Sequence, residues 1–335
     1  MNTDEASINA KQPAGAETAG AQQQSVPEET AASAAQVAQT ADRLGRYIRE
    51  AVCDLHIHTN ASDGFESPSQ VVVQALHRGL GGFSVTDHDT VQGDRDVIMI
   101  LDKLQQVGLP LPHFVAGVEL STAYDGGEIH LLGYFLDEGF EKLEPFLRRC
   151  RASRAERNRA MCEALQEMGF LIDYHELNAQ GGYVVGRVHM ANILIRKGYA
   201  ASVHECFDKW LGDGRLAFRP RALVPAAETI KAIRACGGVP VLAHPADYGW
   251  CGGQPDPLSQ DTVLLRHLRQ LQALGLVGVE TVHGRATPQQ MSETAQAARQ
   301  LGLLRTAGSD YHDSQTQRLL PYIFRADNDF SLYLL

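Results

Sequence analysis

The stretch "CDLHIHTNASDG" at residues 53–64 ends an apolar run with His56 and His58, and Asp63 follows in a turn. Residues i and i+2 of a β-strand point to the same face, about 6–7 Å apart, so the two imidazoles are directed at one point. Imidazole is a common ligand of zinc, iron and manganese. A strand end with two polar side chains is the alternative, and one His-x-His motif does not decide between the two interpretations.

Six further β-like runs follow "AVCDLHIH", and helix-like segments separate several of them. These runs are "GGFSVTDHD", "HFVAGVEL", "EIHLLGYF", "VPVLAHP", "GLVGVETVH" and "LLRTAGSDYH". Helical patterns cover residues 68–78, 226–236, 263–274 and 288–301. Alternating strands and helices predict a parallel sheet, and seven runs favour a β/α barrel over an open sheet. In such a barrel the functional residues lie at the C-terminal ends of the strands.

Most of the seven runs carry a metal-ligand type of side chain at or near the strand end. These residues are His56, His58, Asp63, His88, Glu119, His130, His244, Asp310 and His312. Nine ligands are too many for one ion, because zinc commonly takes four and manganese about six. We therefore expect two or three divalent ions, with carboxylates such as Glu119 as bridges. Divalent ions about 3.5–4 Å apart are suited to phosphoryl chemistry.

The motifs "DLHIHTNASDG", "FSVTDHDT", "GVEL", "EIHLLGY", "VLAHP" and "GSDYH" resemble those of the PHP (polymerase and histidinol phosphatase) superfamily in type and order. The resemblance covers residues 50 to about 315. It implies an α/β fold, a distorted (β/α)7 barrel with a trinuclear metal site. The nine residues named above would be the ligands of that site.

About 80 predominantly helix-like residues separate the fourth and fifth runs. They resemble the helical cap of PHP members that hydrolyse nucleoside 3′,5′-bisphosphates and trim short RNA from its 5′ end. The cap motif of those members is roughly Gly-Arg-Pro-His, and here "GRVHMA" at residues 186–191 has Val188 in place of proline. The resemblance implies that Arg187 and His189 bind the substrate and take part in catalysis. It also predicts a division into a tail (1–48), a first barrel part (50–136), the cap (137–219), and a second barrel part with a C-terminal segment (220–335).

The function implied is that of a metal-dependent phosphoric ester hydrolase in which a metal-bound hydroxide attacks the phosphate. It would remove the 3′-phosphate of nucleoside 3′,5′-bisphosphates (pAp to AMP), trim short RNA in the 5′–3′ direction, or do both. Manganese is the expected ion, with zinc or iron as alternatives. Another PHP phosphatase, such as a histidinol phosphatase, is a second interpretation. A non-catalytic metal-binding module is disfavoured because all nine ligand positions are filled, and an amide- or ester-hydrolysing barrel because no lysine lies at these strand ends.

The sequence does not decide the roles of several other polar residues. Asp89 has either a direct catalytic role or a turn role, and Arg219 and Arg221 could reach the site from the cap. His283, at the sixth run's end, is a candidate for lining the pocket. We expect the arginines of one helical pattern to form a solvated face rather than an RNA-guiding strip: Arg148, Arg149, Arg151, Arg154, Arg157 and Arg159. We expect ordinary surface or packing roles for His77, His113, His175, His204 and His267.

Composition limits the partners and the compartment. The net charge of −10 argues against a basic face for extended double-stranded nucleic acid. The resemblance implies a small nucleotide or short oligonucleotide as the substrate, and protein partners stay unknown. No apolar run of membrane-spanning length and no secretory signal occur, so no membrane contact is expected. Six scattered cysteines without a Cys-x-x-Cys pair suit a reduced, cytoplasmic protein.

The two ends of the chain depart from the barrel pattern. Residues 1 to about 40 have no aromatic residue, and we expect a disordered tail there, with a frayed helix over residues 31–48 leading into the domain. After "GSDYH" the chain ends in an apolar segment for which the resemblance offers no counterpart.

Overall fold

The computed structural model describes residues 28–180, 182–253 and 261–313, together with strand residues 323–324 and 330–331. The helices are α1 (Ala31–Glu50), α2 (Pro68–His77), α3 (Gln92–Gln106), α4 (Glu144–Glu167), α5 (Tyr174–Asn178), α6 (Arg187–Arg196), α7 (Val203–Cys206), α8 (Ala226–Ala235), α9 (Val263–Ala273) and α10 (Pro288–Leu301). The strands are β1 (Cys53–Ile57), β2 (Gly82–Val85), β3 (His113–Tyr124), β4 (Gly127–Phe135), β5 (Val224–Pro225), β6 (Val239–Leu242), β7 (Gly278–His283), β8 (Leu304–Gly308), β9 (Ile323–Phe324) and β10 (Phe330–Ser331).

Seven strands form a nearly closed barrel in the order β1-β2-β3-β4-β6-β7-β8, and the short β5 adds to β3. The barrel closes where the chain beyond β8 meets β1. There Tyr311 pairs with Ile57, and the His58 amide donates to the Tyr311 carbonyl at 2.8 Å. The seven predicted strands and the four predicted helices are confirmed. Helices α2, α3, α8, α9 and α10 connect the strands as expected for a β/α barrel.

Strand β4 departs from the predicted parallel sheet, because it runs antiparallel to both of its neighbours, β3 and β6. The cause is the turn at Asp125 and Gly126, whose φ angles of 48° and 78° are both positive. An Asp-Gly turn of this kind joins adjacent antiparallel strands. The start of β4 therefore lies at the same barrel edge as the end of β3, and His130 pairs with Ser121 across the two strands.

Helix α1 covers the last part of the predicted N-terminal tail, residues 31–48. Its buried residues Val37, Leu44 and Ile48 join a core cluster with barrel residues such as Leu132 and Val241. Thr30 caps the helix in a reciprocal capping box, and Glu29 pairs with Arg234 at 2.6 Å. Residues 31–48 thus form a packed helix rather than part of a disordered tail, because their apolar stripe covers barrel residues. The predicted tail over residues 1–27 lies outside the described residues.

The helices α4 to α7 fall within the range predicted for the cap, residues 137–219, and pack around a hydrophobic cluster of their own. That cluster includes Met161, Leu165, Met190 and Leu194, all fully buried. The cap is therefore a helical layer with its own core. The C-terminal segment that the resemblance left unexplained contributes the antiparallel pair of β9 and β10. Apart from Asp313, its other residues lie outside the described ones.

Among the helices that the structure describes, none has both the length and the apolar character needed to cross a lipid bilayer.

Truncation should separate the two parts of the predicted tail. A chain that starts at residue 28 should keep the stability of the full chain, because it retains α1 and its cap. A chain that starts at residue 41 should lose about 2–4 kcal/mol of unfolding free energy, from the burial of Val37 and the helix cap. Urea denaturation of the full chain and both truncations measures this. Equal stability of the two truncations would show that the first half of α1 does not stabilise the barrel.

Candidate metal centre

All nine residues predicted as metal ligands are brought together at one end of the barrel. They form three groups, within each of which one donor atom per residue lies within 4.8 Å of the others. The groups are His58, Asp63, His88 and His312; His56, His58, Glu119 and Asp310; and Glu119, His130 and His244. Because His58 and Glu119 each belong to two groups, the three groups are continuous.

Glu119 is the carboxylate that joins the groups. It lies on β3, is 1% exposed, and directs its two oxygens at different imidazoles. Oε2 lies 3.5 Å from His56 Nε2, 3.2 Å from His58 Nε2 and 3.2 Å from His88 Nδ1, and Oε1 lies 2.8 Å from His130 Nδ1 and 3.0 Å from His244 Nε2. This geometry is that of a carboxylate able to bridge two ions.

The donor atoms of the site fit metal ions. Several buried imidazole nitrogens make no hydrogen bond within the described part of the chain, among them His56 Nε2, both nitrogens of His58, and His88 Nδ1. Buried polar atoms are normally paired, so their number here calls for an explanation. A divalent cation between imidazole nitrogens and carboxylate oxygens would satisfy them, and six imidazoles with three carboxylates make a ligand set that suits manganese, iron or zinc.

The backbone is strained where strands deliver their polar side chains. Apart from the turn residue Asp125, the described non-glycine residues with positive φ are Asp89 (55°), His244 (28°) and Asp310 (53°). His244 and Asp310 belong to the three groups, and Asp89 directly follows His88. Such conformations are unfavourable for L-residues and tend to persist at functional sites. Of the three, His244 and Asp310 place their side chains within the metal-ligand groups.

Glu280, on β7, holds two of the proposed ligands and was missed by the sequence analysis. It is 1% exposed, accepts from His56 Nδ1 at 3.1 Å through Oε1, and accepts from the His244 amide at 2.9 Å through Oε2. A carboxylate on the second ring nitrogen orients a ligand imidazole and fixes its tautomer. The available signal was a charged residue inside the apolar run "GLVGVETVH".

Asp87 supports the loop that carries Asp63. Its buried carboxylate accepts from the Thr59 amide and hydroxyl, each at 2.7 Å, and from the Ser62 hydroxyl at 2.6 Å. Burial raises the pKa of Asp87, and these hydrogen bonds oppose the shift. The loop after β1 is thereby fixed to the loop after β2.

Asp89, for which we considered a catalytic role, lies outside the three groups. Its buried carboxylate pairs with Arg154 Nη2 at 2.7 Å and with Arg221 Nη1 at 3.2 Å. Its backbone carbonyl also accepts from Arg151 at 3.0 Å. Burial opposes ionisation, but the two guanidinium groups hold the pKa of Asp89 below its usual value. The geometry makes Asp89 the link between the barrel and the arginines packed above it.

The prediction of a solvated arginine face is wrong for two of the six arginines, which are largely buried. Arg154 and Arg157 turn inward on α4, with 11% and 7% exposure, whereas Arg148 and Arg149 are exposed. Arg221, after the cap, is 6% exposed. Charge alone does not indicate which face of α4 is buried, and the acids that pair with Arg154 and Arg221 come from distant segments.

The two cap residues of the "GRVH" motif lie in different surroundings. His189 lines a cleft of about 660 Å³ together with Asp63 and His312 of the proposed metal site and the cap residues Val188 and Asn192. Arg187 pairs with Asp213 at 2.6 Å and lies over the Phe207 and Phe218 rings, 5.5 and 5.6 Å from their centroids.

His283, considered as a pocket residue, lies beside the proposed ligand Asp310. It is buried, and its Nε2 lies 3.5 Å from Asp310 Oδ2, which also pairs with Arg285 at 2.8 Å. Two other histidines take the packing roles expected of them: His113 stacks on Tyr47 and His267 on Trp250.

Comparisons with known proteins connect this site to phosphate-ester chemistry. No family model matches the chain. A 5′-3′ exoribonuclease of Haemophilus influenzae is 30% identical over 259 residues, which are 77% of this chain and 89% of the relative. A 3′,5′-nucleoside bisphosphate phosphatase of Chromobacterium violaceum is 28% identical over 261 residues, 77% of this chain and 86% of the relative. A Bifidobacterium adolescentis crystal structure assigned as a metal-dependent phosphoesterase aligns with a TM-score of 0.69 at 27% identity, covering 82% of this chain and 93% of that chain.

Replacing Glu280 should weaken metal binding without unfolding the protein. We expect Glu280→Gln to lower metal affinity by about 10- to 100-fold, because His56 loses the charged acceptor that orients its ring. Competition of the purified protein with a chelator, followed by elemental analysis, measures the affinity. The control is Glu228→Gln, which removes a partly exposed partner of Arg149. Equal metal affinity of the two variants would contradict the role of Glu280.

Proposed function

The chain belongs to the PHP superfamily of metal-dependent phosphoesterases, and from this we propose that it hydrolyses the 3′-phosphate ester of 5′-phosphorylated nucleotides. The substrates would be nucleoside 3′,5′-bisphosphates (pAp to AMP), short RNA trimmed from its 5′ end, or both. The observation that carries the proposal is the continuous set of nine imidazoles and carboxylates that opens into a cleft beneath the cap.

The two relatives are named for different substrates, but both names are compatible with cleavage of the same type of bond. Removing the 3′-phosphate of a bisphosphate breaks the bond between phosphorus and the ribose 3′-oxygen. Releasing a 5′-nucleotide from the 5′ end of RNA breaks the same bond, with the remaining RNA attached to the scissile phosphate. In both cases the leaving group is the 3′-oxygen of a nucleotide that keeps its 5′-phosphate. One site that recognises this nucleotide serves both substrates.

We propose that the nine residues of the three groups hold two or three divalent ions, manganese by preference, with Glu119 as a bridge between them. When bound, such ions neutralise phosphate oxygens and lower the pKa of water, so that hydroxide is available near neutral pH. Glu280 keeps His56 oriented, and the strained backbones of His244 and Asp310 hold their side chains toward the same point. The site residues are thereby preorganised before substrate enters.

We propose that Arg187 and His189 contact the substrate from the cap. His189 lines the cleft beside Asp63, and burial lowers its pKa. Its Nδ1 accepts from the Gly186 amide at 3.1 Å, so in the neutral ring Nε2 carries the proton and can donate to a phosphate oxygen. In this proposal Asp89 accepts from Arg154 and Arg221 and positions both guanidinium groups.

We also propose a cytoplasmic location, since all six cysteines are free and five of them are buried.

A substrate panel tests the proposal. With Mn²⁺ supplied, the protein should convert adenosine 3′,5′-bisphosphate to adenosine 5′-monophosphate and phosphate, and it should release 5′-nucleotides from short 5′-phosphorylated RNA. Chelator treatment should abolish both activities, and re-addition of Mn²⁺, Zn²⁺, Fe²⁺ or Mg²⁺ ranks the ions. Elemental analysis should find more than one transition-metal equivalent per chain. Preference for histidinol phosphate over both nucleotide substrates would establish the alternative PHP phosphatase.

Arg187→Ala tests the contribution of the cap. A charge-assisted phosphate contact contributes roughly 1.5–3 kcal/mol, so kcat/KM for the bisphosphate should fall by about 10- to 150-fold. Metal content should not change, and hydrolysis of p-nitrophenyl phosphate, which has no second phosphate, should change much less. Equal losses on both substrates would mean that Arg187 acts on the scissile phosphate. No loss on either would remove Arg187 from the substrate site.

A further inference from the structure

Phe65 is a large apolar residue that the fold leaves exposed beside the proposed metal centre. It is 69% exposed, although it stands two residues after Asp63. Its amide donates to the carbonyl of His312 at 2.7 Å, which ties its backbone to a second proposed ligand. Single exposed apolar residues are common on protein surfaces, so position decides whether one has a role. Phe65 lines the cleft of about 660 Å³ that also contains Asp63 and His312.

The loop that carries Phe65 is held in place by its own backbone. The Asn60 amide donates to the Glu66 carbonyl at 2.8 Å and closes the loop. A Cβ atom at Gly64 would lie 2.4 Å from the His58 carbonyl oxygen, so glycine is required at this close approach. An exposed ring on such a loop loses little conformational freedom when it contacts a ligand.

The cleft has the size and the lining of a site for a neutral group. Its volume of about 660 Å³ lies within the range of small-molecule sites, about 300–1,000 Å³. The amides of Asn60, Gln180 and Asn192 supply polar contacts beside the Phe65 ring. None of the described residues that line the cleft is a lysine or an arginine. The lining therefore suits a nucleoside better than a second phosphate.

An RNA substrate places a nucleoside directly beside the metal centre. When a 5′-nucleotide is released, water supplies the hydroxyl that bonds to phosphorus, and the 3′-oxygen leaves and takes up a proton. The phosphorus stays attached to the 5′-oxygen of the next nucleotide, whose nucleoside is thus adjacent to the scissile phosphate. A bisphosphate has no group at that place. RNA therefore requires an opening that begins at the metal ligands, and the bisphosphate does not.

We propose that the cleft binds the nucleoside on the 3′ side of the scissile phosphate, and that its base stacks on Phe65. This inference rests on the proposed function and separates its two substrates, because only RNA has this nucleoside. Stacking on an aromatic side chain tolerates every base, since each base has a π-face. Phe65 is thus a specificity-determining residue for single-stranded RNA, without preference for the second base.

The first test compares 5′-phosphorylated diadenosine with adenosine 3′,5′-bisphosphate. For Phe65→Ala, kcat/KM on the dinucleotide should fall by about 5- to 150-fold, whereas kcat/KM on the bisphosphate should stay within about 3-fold of wild type. The Tm should not change, because the side chain is exposed. Equal losses on both substrates, or no loss on either, would overturn the inference.

Conservative changes and a control test the ring itself. Phe65→Trp keeps a stacking surface and should retain dinucleotide hydrolysis, whereas Phe65→Leu keeps only the apolar contact and should behave like Phe65→Ala. The control is Leu171→Ala in the cap, which removes a residue that is 72% exposed and outside the cleft lining. It should leave both substrates unchanged. Dinucleotide hydrolysis by Phe65→Leu at the wild-type rate would exclude stacking.

A binding measurement does not depend on turnover. Calorimetric titration uses non-cleavable 5′-phosphorylated diadenosine, in which a methylene group replaces the 3′-oxygen bonded to phosphorus. The wild type and Leu171→Ala should bind it about 5- to 150-fold more tightly than the same analogue without the second base. Phe65→Ala should bind the two analogues equally. Equal affinities in the wild type would show that the second base makes no favourable contact, and the inference would be wrong.

The inference and the proposed function fail in different ways. If the wild type hydrolyses both substrates and Phe65→Ala does so equally well, the cleft assignment is wrong and the function stands. If the wild type hydrolyses neither substrate but binds the second base through Phe65, the function is wrong and the nucleoside site stands.

Discussion

The buried carboxylate of Glu119 among five imidazoles is the arrangement on which this end of the barrel depends. A carboxylate with 1% exposure would be strongly disfavoured if it were alone. The imidazoles around it lack partners, because several of their nitrogens make no hydrogen bond within the described residues. Divalent ions would satisfy both groups, since each ion would neutralise carboxylate charge and take up the free electron pairs of the rings. The donor set therefore fits divalent ions, whose binding would favour the folded state.

This arrangement requires strands that end together. In a β/α barrel the C-terminal ends of parallel strands meet at one rim, which brings His56, His88 and His244 into one region. Because β4 is antiparallel, a ligand at its C-terminal end would lie at the opposite rim. His130 instead lies near the beginning of β4, and the tight turn at Asp125 and Gly126 returns that beginning to the same rim.

The cap is connected to the metal centre by charge. Asp89 stands one residue beyond His88 in a strained backbone conformation, and its carboxylate holds arginines from α4 and from the segment after the cap. Any shift of the cap therefore acts on the loop that carries His88. The same contact concentrates guanidinium groups over the barrel mouth, although the whole chain has a net charge of −10. Guanidinium groups are thus concentrated locally in a chain that is acidic as a whole.

The chain's local patterns were sufficient for the seven strands, the four helices named in advance and the nine donors of the three groups. Most of the donors lie at or near the end of an apolar run, where strand periodicity assigns their direction without reference to distant residues. Local patterns also contained the Asp-Gly turn that reverses β4, a signal that the alternation of strands and helices obscured. The packing of α1, the support that Glu280 gives to His56 and His244, and the burial of Arg154, Arg157 and Arg221 were decided only by tertiary structure. A helix with arginines around much of its circumference has no intrinsic buried face, and the acid that accepts from the α4 residue Arg154 is Asp89, in the turn after β2.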